Sequence, residues 1–157
     1  MSEAKFKLTR NTTANDIVRR LRFLVKSKIY VGVQGENITR KDSDEPTNVQ
    51  IAIKNEFGTE KIPERSFIRA SVRENAKKYN NFNRTTFNKI LKGEVFDINE
   101  ALGKLGIVAR DDMEGFGVAL QSPPNSPTTI EKKGSANPLV ATSQMLNSIT
   151  YVVENES

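Results

Sequence analysis

Seven apolar side chains, Ile98, Leu102, Leu105, Ala109, Met113, Phe116 and Leu120, recur at steps of three and four residues across 97–121. Only an α-helix brings such a series onto one face. Asp97 is a ready N-cap, and Glu100 three residues on completes a capping-box-like pair. A helix this long and this one-sided must bury its stripe against another layer, which dominates what a chain of 157 residues can fold into. The same stretch carries Gly103, Gly106, Gly115 and Gly117. In an isolated helix each costs about 1 kcal/mol relative to alanine, and close helix–helix approach would compensate.

The flanking segments are shorter. Residues 1–12 are polar and basic, an edge strand or a mobile arm. Thr13 or Asn15 can cap a helix over 14–26 with Ile17, Val18, Leu21, Leu24 and Val25 as its apolar stripe. Lys28 to Gln34 is β-branched, aromatic and short, and predicts a strand. Residues 35–47 form a polar loop. From Asn48 the spacing of Val49, Ala52, Ile53 and Phe57 is helical, with Phe57 anchoring the helix end in the core and Gly58 reversing the chain. After Pro63 a second stripe runs through Ile68, Val72, Ala76 and Tyr79 and resumes at Phe87, Ile90 and Leu91. Its Asn-rich patch at 80–83 is either a kink or a break. Residues 122–138 hold four of the six prolines and predict a long irregular loop. A short helical piece near 141–147 and a strand from Ile149 to Val153 close the chain. The expected fold is α+β: one domain over 1–157, with a small, mostly antiparallel sheet packed against several helices and a long Pro-rich loop.

Composition narrows the function. The chain has no histidine and no cysteine, so the commonest general base, nucleophile and zinc ligands are all missing, and no disulfide framework can form. The carboxylate clusters Asp111-Asp112-Glu114 and Asp42-Asp44-Glu45 fall on a helix face and in a polar loop, where solvated acids are the ordinary case. No calcium-loop spacing and no phosphate-binding glycine pattern is present. The expectation is no enzyme, no cofactor and no metal. No apolar run is long enough for a transmembrane helix, and Met1 to Lys5 lacks a signal-peptide layout, which predicts synthesis in a reducing cytoplasm and no membrane partner. The net charge of +5 is mild, although a closed ring of identical subunits would multiply it.

Two stretches are unusual. The first is Asn55-Glu56-Phe57-Gly58-Thr59, followed by Ile62-Pro63-Glu64-Arg65-Ser66-Phe67-Ile68-Arg69. The second runs from Pro123-Pro124-Asn125-Ser126-Pro127 through Lys132-Lys133-Gly134 to Pro138-Leu139 and Thr142-Ser143-Gln144-Met145-Leu146-Asn147-Ser148-Ile149. Over residues 31–34, 49–73 and 123–153 the chain resembles the tail-completion, or neck, proteins of long-tailed bacteriophages. Ser66 stands where that pattern often has a second proline, and Ser143 where it often has glycine.

The resemblance implies a non-enzymatic virion protein, made in the host bacterial cytoplasm, that forms a closed ring of six or twelve copies at the head–tail junction. Its partners would be the head-side connector and the tail terminator or tail tube, with genomic DNA passing non-specifically through the lumen. The runner-up is the tail terminator ring itself. From another class comes a small basic nucleic-acid-binding module, for which no aromatic-plus-basic stacking motif speaks. Arg65 and Arg69 share one helical face if the helix starts by Pro63, and either pair with Glu56, Glu60 or Glu64 or contact a neighbouring subunit or DNA phosphate. Lys132 and Lys133, with Ile130 close by, stand in the Pro-rich loop, to which the resemblance gives an assembly role. Arg19, Arg20 and Arg22 line either a solvated helix face or a DNA channel.

Overall fold

A computed structural model describes residues 13–34, 46–94, 97–134, 138–139 and 143–155, with the backbone alone at 132, 133 and 143. The expected arm at 1–12 and most of the loop 35–47 lie outside these residues. The elements run α1 (Ala14–Lys26), β1 (Ser27–Val33), α2 (Asn48–Phe57), α3 (Phe67–Leu91), α4 (Ile98–Ala119), α5 (Pro127–Lys133), α6 (Ser143–Leu146) and β2 (Ile149–Asn155). β1 and β2 pair antiparallel from Ser27↔Asn155 to Val33↔Ile149, forming a two-stranded sheet. Helices pack against it, and the fold is α+β.

α4 is the spine. Asp97 caps it, its carboxylate accepting from the Asn99 and Glu100 amides. Ile98, Leu102, Leu105, Ala109 and Met113 are buried, as the stripe requires, while Phe116 and Leu120 pack half-buried against the core. Ile98 and Leu102 join Ile90 in one cluster, closed by Ile17, Leu21, Phe23 and Leu24 of α1. Met113 joins a second with Phe67, Leu139, Met145, Leu146 and Ile149. The helix thus spans both cores. Its glycines are used, but against the sheet and α6 rather than another long helix. A Cβ on Gly106 would stand 2.3 Å from Cδ2 of Tyr151, and one on Gly117 2.6 Å from a Leu146 methyl. Gly115 faces open space.

Four expectations need correction. The α1 stripe is narrower than the pattern suggests, since Val18 and Val25 are exposed. α3 runs unbroken through the Asn-rich patch, and its buried residues are Phe67, Ser71, Thr86 and Ile90, with Val72 and Phe87 facing outward. Small polar side chains at 71 and 86 let α3 lie against α4 without a continuous apolar row. Phe57 is 62% exposed rather than a core anchor. Last, the Pro-rich segment is not wholly irregular: Ser126 caps α5, Pro127 occupies a first-turn position where its missing amide costs nothing, and Gly134 ends the helix at φ 66°.

Candidate functional site

The two unusual stretches meet in space. α2 ends at Phe57, and Gly58 at φ 73° turns the chain so tightly that a Cβ there would lie 2.9 Å from the Glu64 amide nitrogen. The Thr59 amide donates to the Ile62 carbonyl, and the Arg65 amide to the Asn55 carbonyl, closing the turn. This brings the end of α2 to the start of α3. There Ser66 supplies no side-chain cap. Glu56, with its side chain 5% exposed, takes that role from the neighbouring helix: its carboxylate accepts from the Ile68 amide at 2.9 Å and the Arg69 amide at 3.0 Å. An anion is well placed at a helix N-terminus, where amides lack intrahelical partners.

Arg69 closes this knot. Its Nε donates to Glu56 at 2.8 Å, and its terminal nitrogen donates to the Glu56 carbonyl and the Glu64 carboxylate. The guanidinium also stacks 4.7 Å over the Phe57 ring, so the exposed phenylalanine is half of a cation–π pair. Hydrogen bonding to Glu56 holds the Arg69 pKa above its ordinary value. Of the two alternatives for Arg69, the ion pairing with Glu56 and Glu64 is therefore present.

Arg65 behaves differently. α3 starts at Phe67, so Arg65 precedes the helix and does not share a face with Arg69. It is 6% exposed, which corrects its expected place as a surface contact. Nε donates to the Pro123 carbonyl at 2.9 Å, while the terminal nitrogens donate to the Pro124 carbonyl and the side-chain oxygens of Asn125 and Asn55. A proline-rich run has few amides of its own, and its carbonyls suit an arginine fork. No carboxylate pairs with Arg65 among the described residues, and burial pushes its pKa down. The guanidinium staples residues 123–125 to the end of α2, so this part of the Pro-rich segment is ordered within the chain.

Beside Arg65 opens a cleft of about 390 Å³, lined by Lys54, Lys61 and Arg65 and by Ile51, Ile62 and Pro138 among others. The other expected site residues are scattered. Arg19 pairs with Asp16, Arg20 donates to the Glu94 carbonyl, and Arg22 is exposed on α1. Ile130 is half-buried on α5, and the side chains of Lys132 and Lys133 lie outside the described residues. Asp112 is no idle surface acid: it accepts from Lys78 at 2.8 Å and from the Tyr79 hydroxyl at 3.0 Å, tying α3 to α4. Asp42, Asp44 and Glu45 lie outside the described residues. Among the described residues no group of three acids gathers in metal-binding geometry, and no helix is long and apolar enough to cross a membrane.

Sequence reasoning named Glu56 as an ion-pair partner but missed its capping of α3, and it missed Asn55 and Asn125 as partners and Lys54 and Lys61 as cleft residues. The available signal was the proline-rich run at 123–127, whose prolines leave carbonyls without local partners. No protein-family model, curated protein or solved structure matches the chain.

Proposed function

We propose that the protein is a structural subunit of the head–tail junction of a long-tailed bacteriophage, closing as a homomeric ring of six or twelve copies between the head connector and the tail. Its work is geometric: heterologous contacts between identical subunits close the ring, its two faces dock neighbours, and its lumen passes DNA. The observation that carries the reading is the meeting of the two resemblance-bearing stretches. Asn55, Arg65 and residues 123–125 come from stretches about sixty positions apart and interlock through the four arginine bonds. That the two stretches interlock supports reading them together as one unit. A chain with no histidine and no cysteine suits assembly better than catalysis.

In this reading Ile130, Lys132 and Lys133 on α5 and the exposed Arg69–Phe57 ledge face neighbouring chains, and Arg19, Arg20 and Arg22 face the lumen. Negative-stain imaging of the purified protein and of labelled virions tests it. Rings of uniform order, and label at the neck, are expected. A chain that stays monomeric at all concentrations and is missing from the particle would end the proposal. Label at the head-proximal end of isolated tails before head joining would favour the terminator ring.

A further inference from the structure

The cleft beside Arg65 has a chemistry of its own. Three of its lining side chains are cations, Lys54, Lys61 and Arg65, and no carboxylate of the described residues lines it. Neither lysine forms an ion pair among the described residues, and both are exposed. Arg65 is buried and, among the described residues, held by neutral oxygens alone, four of its five N–H donors being used. A buried guanidinium without a counter-ion keeps its charge uncompensated, and low-dielectric walls focus the field into the adjoining concavity. Between the cations the lining is mixed, with Ile51, Ile62 and Pro138 beside the neutral polar side chains of Asn55, Ser126 and Thr129.

We propose that this cleft is a docking site for an acidic, extended peptide segment of a partner protein, whose carboxylates meet Lys54, Lys61 and the Arg65 rim and whose apolar side chains lie on the isoleucines. Charge complementarity is the ground for that choice. Duplex DNA fits worse: its backbone is read by a basic track on an open surface, whereas this is a small concavity in which the cations stand among isoleucines and neutral polar side chains. Its volume of about 390 Å³ lies within the range of roughly 300–1,000 Å³ typical of pre-formed ligand sites. The inference stands apart from the ring reading, because the cleft residues named above all come from one chain.

The test uses the full chain and a fluorescent peptide in which Asp and Glu alternate with Ile and Pro, read by anisotropy. The expected result is saturable binding that weakens with added salt, is lost in the Asn/Gln counterpart of the peptide, and drops by about tenfold or more in the Lys54→Glu/Lys61→Glu protein. Both lysines are on the surface, so an unchanged circular dichroism melt will show that the variant is folded. Equal binding of the charged and neutral peptides, or equal binding by the reversed variant, would overturn the proposal. So would an oligonucleotide that binds at the same site more tightly than the peptide, which would assign it to nucleic acid. A variant that loses only self-association, with no peptide bound by the wild type, would assign the cleft to a second copy and sink the partner reading.

Discussion

Two buried regions of this molecule are held together by opposite means. Along the seam between α4 and the sheet, contact is a matter of shape: the Tyr151 ring lies where a side chain at Gly106 would be, and Leu102, Leu105 and Ala109 fill the interior. At the junction of α2, α3 and residues 123–125, contact is a matter of donors and acceptors, with Glu56 capping a foreign helix and Arg65 binding four oxygens. Shape tolerates small changes by repacking, whereas a fork of hydrogen bonds has no partial substitute. The seam should therefore respond to lost volume and the junction to lost geometry at constant charge.

The largest effect is expected at the seam. Leu105, at 8% exposure, should cost about 2–5 kcal/mol when replaced by alanine, measured as a shift in urea midpoint at unchanged slope. A loss below about 0.5 kcal/mol would mean that the stripe faces an assembly partner instead of the core. Next comes the junction. Arg65→Lys keeps the charge but cannot reach four oxygens, and should cost about 3 kcal/mol through the acceptors left unpaired. Arg69→Lys, at a half-exposed guanidinium where the buried Glu56 carboxylate keeps its two amide hydrogen bonds, should move the midpoint much less. Equal losses at the two arginines would erase the distinction between a buried and an exposed fork. A double variant of Leu105 and Arg65 should be additive if the regions are independent.

That contrast also explains what was readable in advance. The seam was legible because apolar periodicity reports burial directly: the α4 stripe, its Asp97 cap and the two strands themselves could be read from spacing and composition, while their pairing with each other came from the structure. The junction was not. A buried arginine looks like a surface arginine in sequence, because its burial depends on carbonyls about sixty positions away at Pro123 and Pro124. Phe57 misled for the reverse reason, since an aromatic residue at a helix end suggests core, yet here it supports the Arg69 guanidinium in solvent. The Pro-rich segment hid α5 because proline counts against a helix everywhere except the first turn, where Pro127 sits.

The smallest predicted effect lies where the two kinds of contact meet, on the α3–α4 interface. Tyr79 donates its hydroxyl to Asp112, which Lys78 also grips. Burial, reinforced by the Asp112 hydrogen bond and charge, raises the Tyr79 pKa well above its ordinary value of about 10. The folded chain therefore keeps this proton at a pH where the unfolded chain has released it. Tyr79 thus contributes stability that is fully present below about pH 10 and is lost as pH rises towards the folded-state value. Wild type should weaken in urea melts above pH 10 more steeply than Tyr79→Phe, with the two curves parallel at neutral pH. Parallel curves throughout would mean that the hydroxyl is as accessible folded as unfolded, and that Lys78 alone holds Asp112 across the α3–α4 interface.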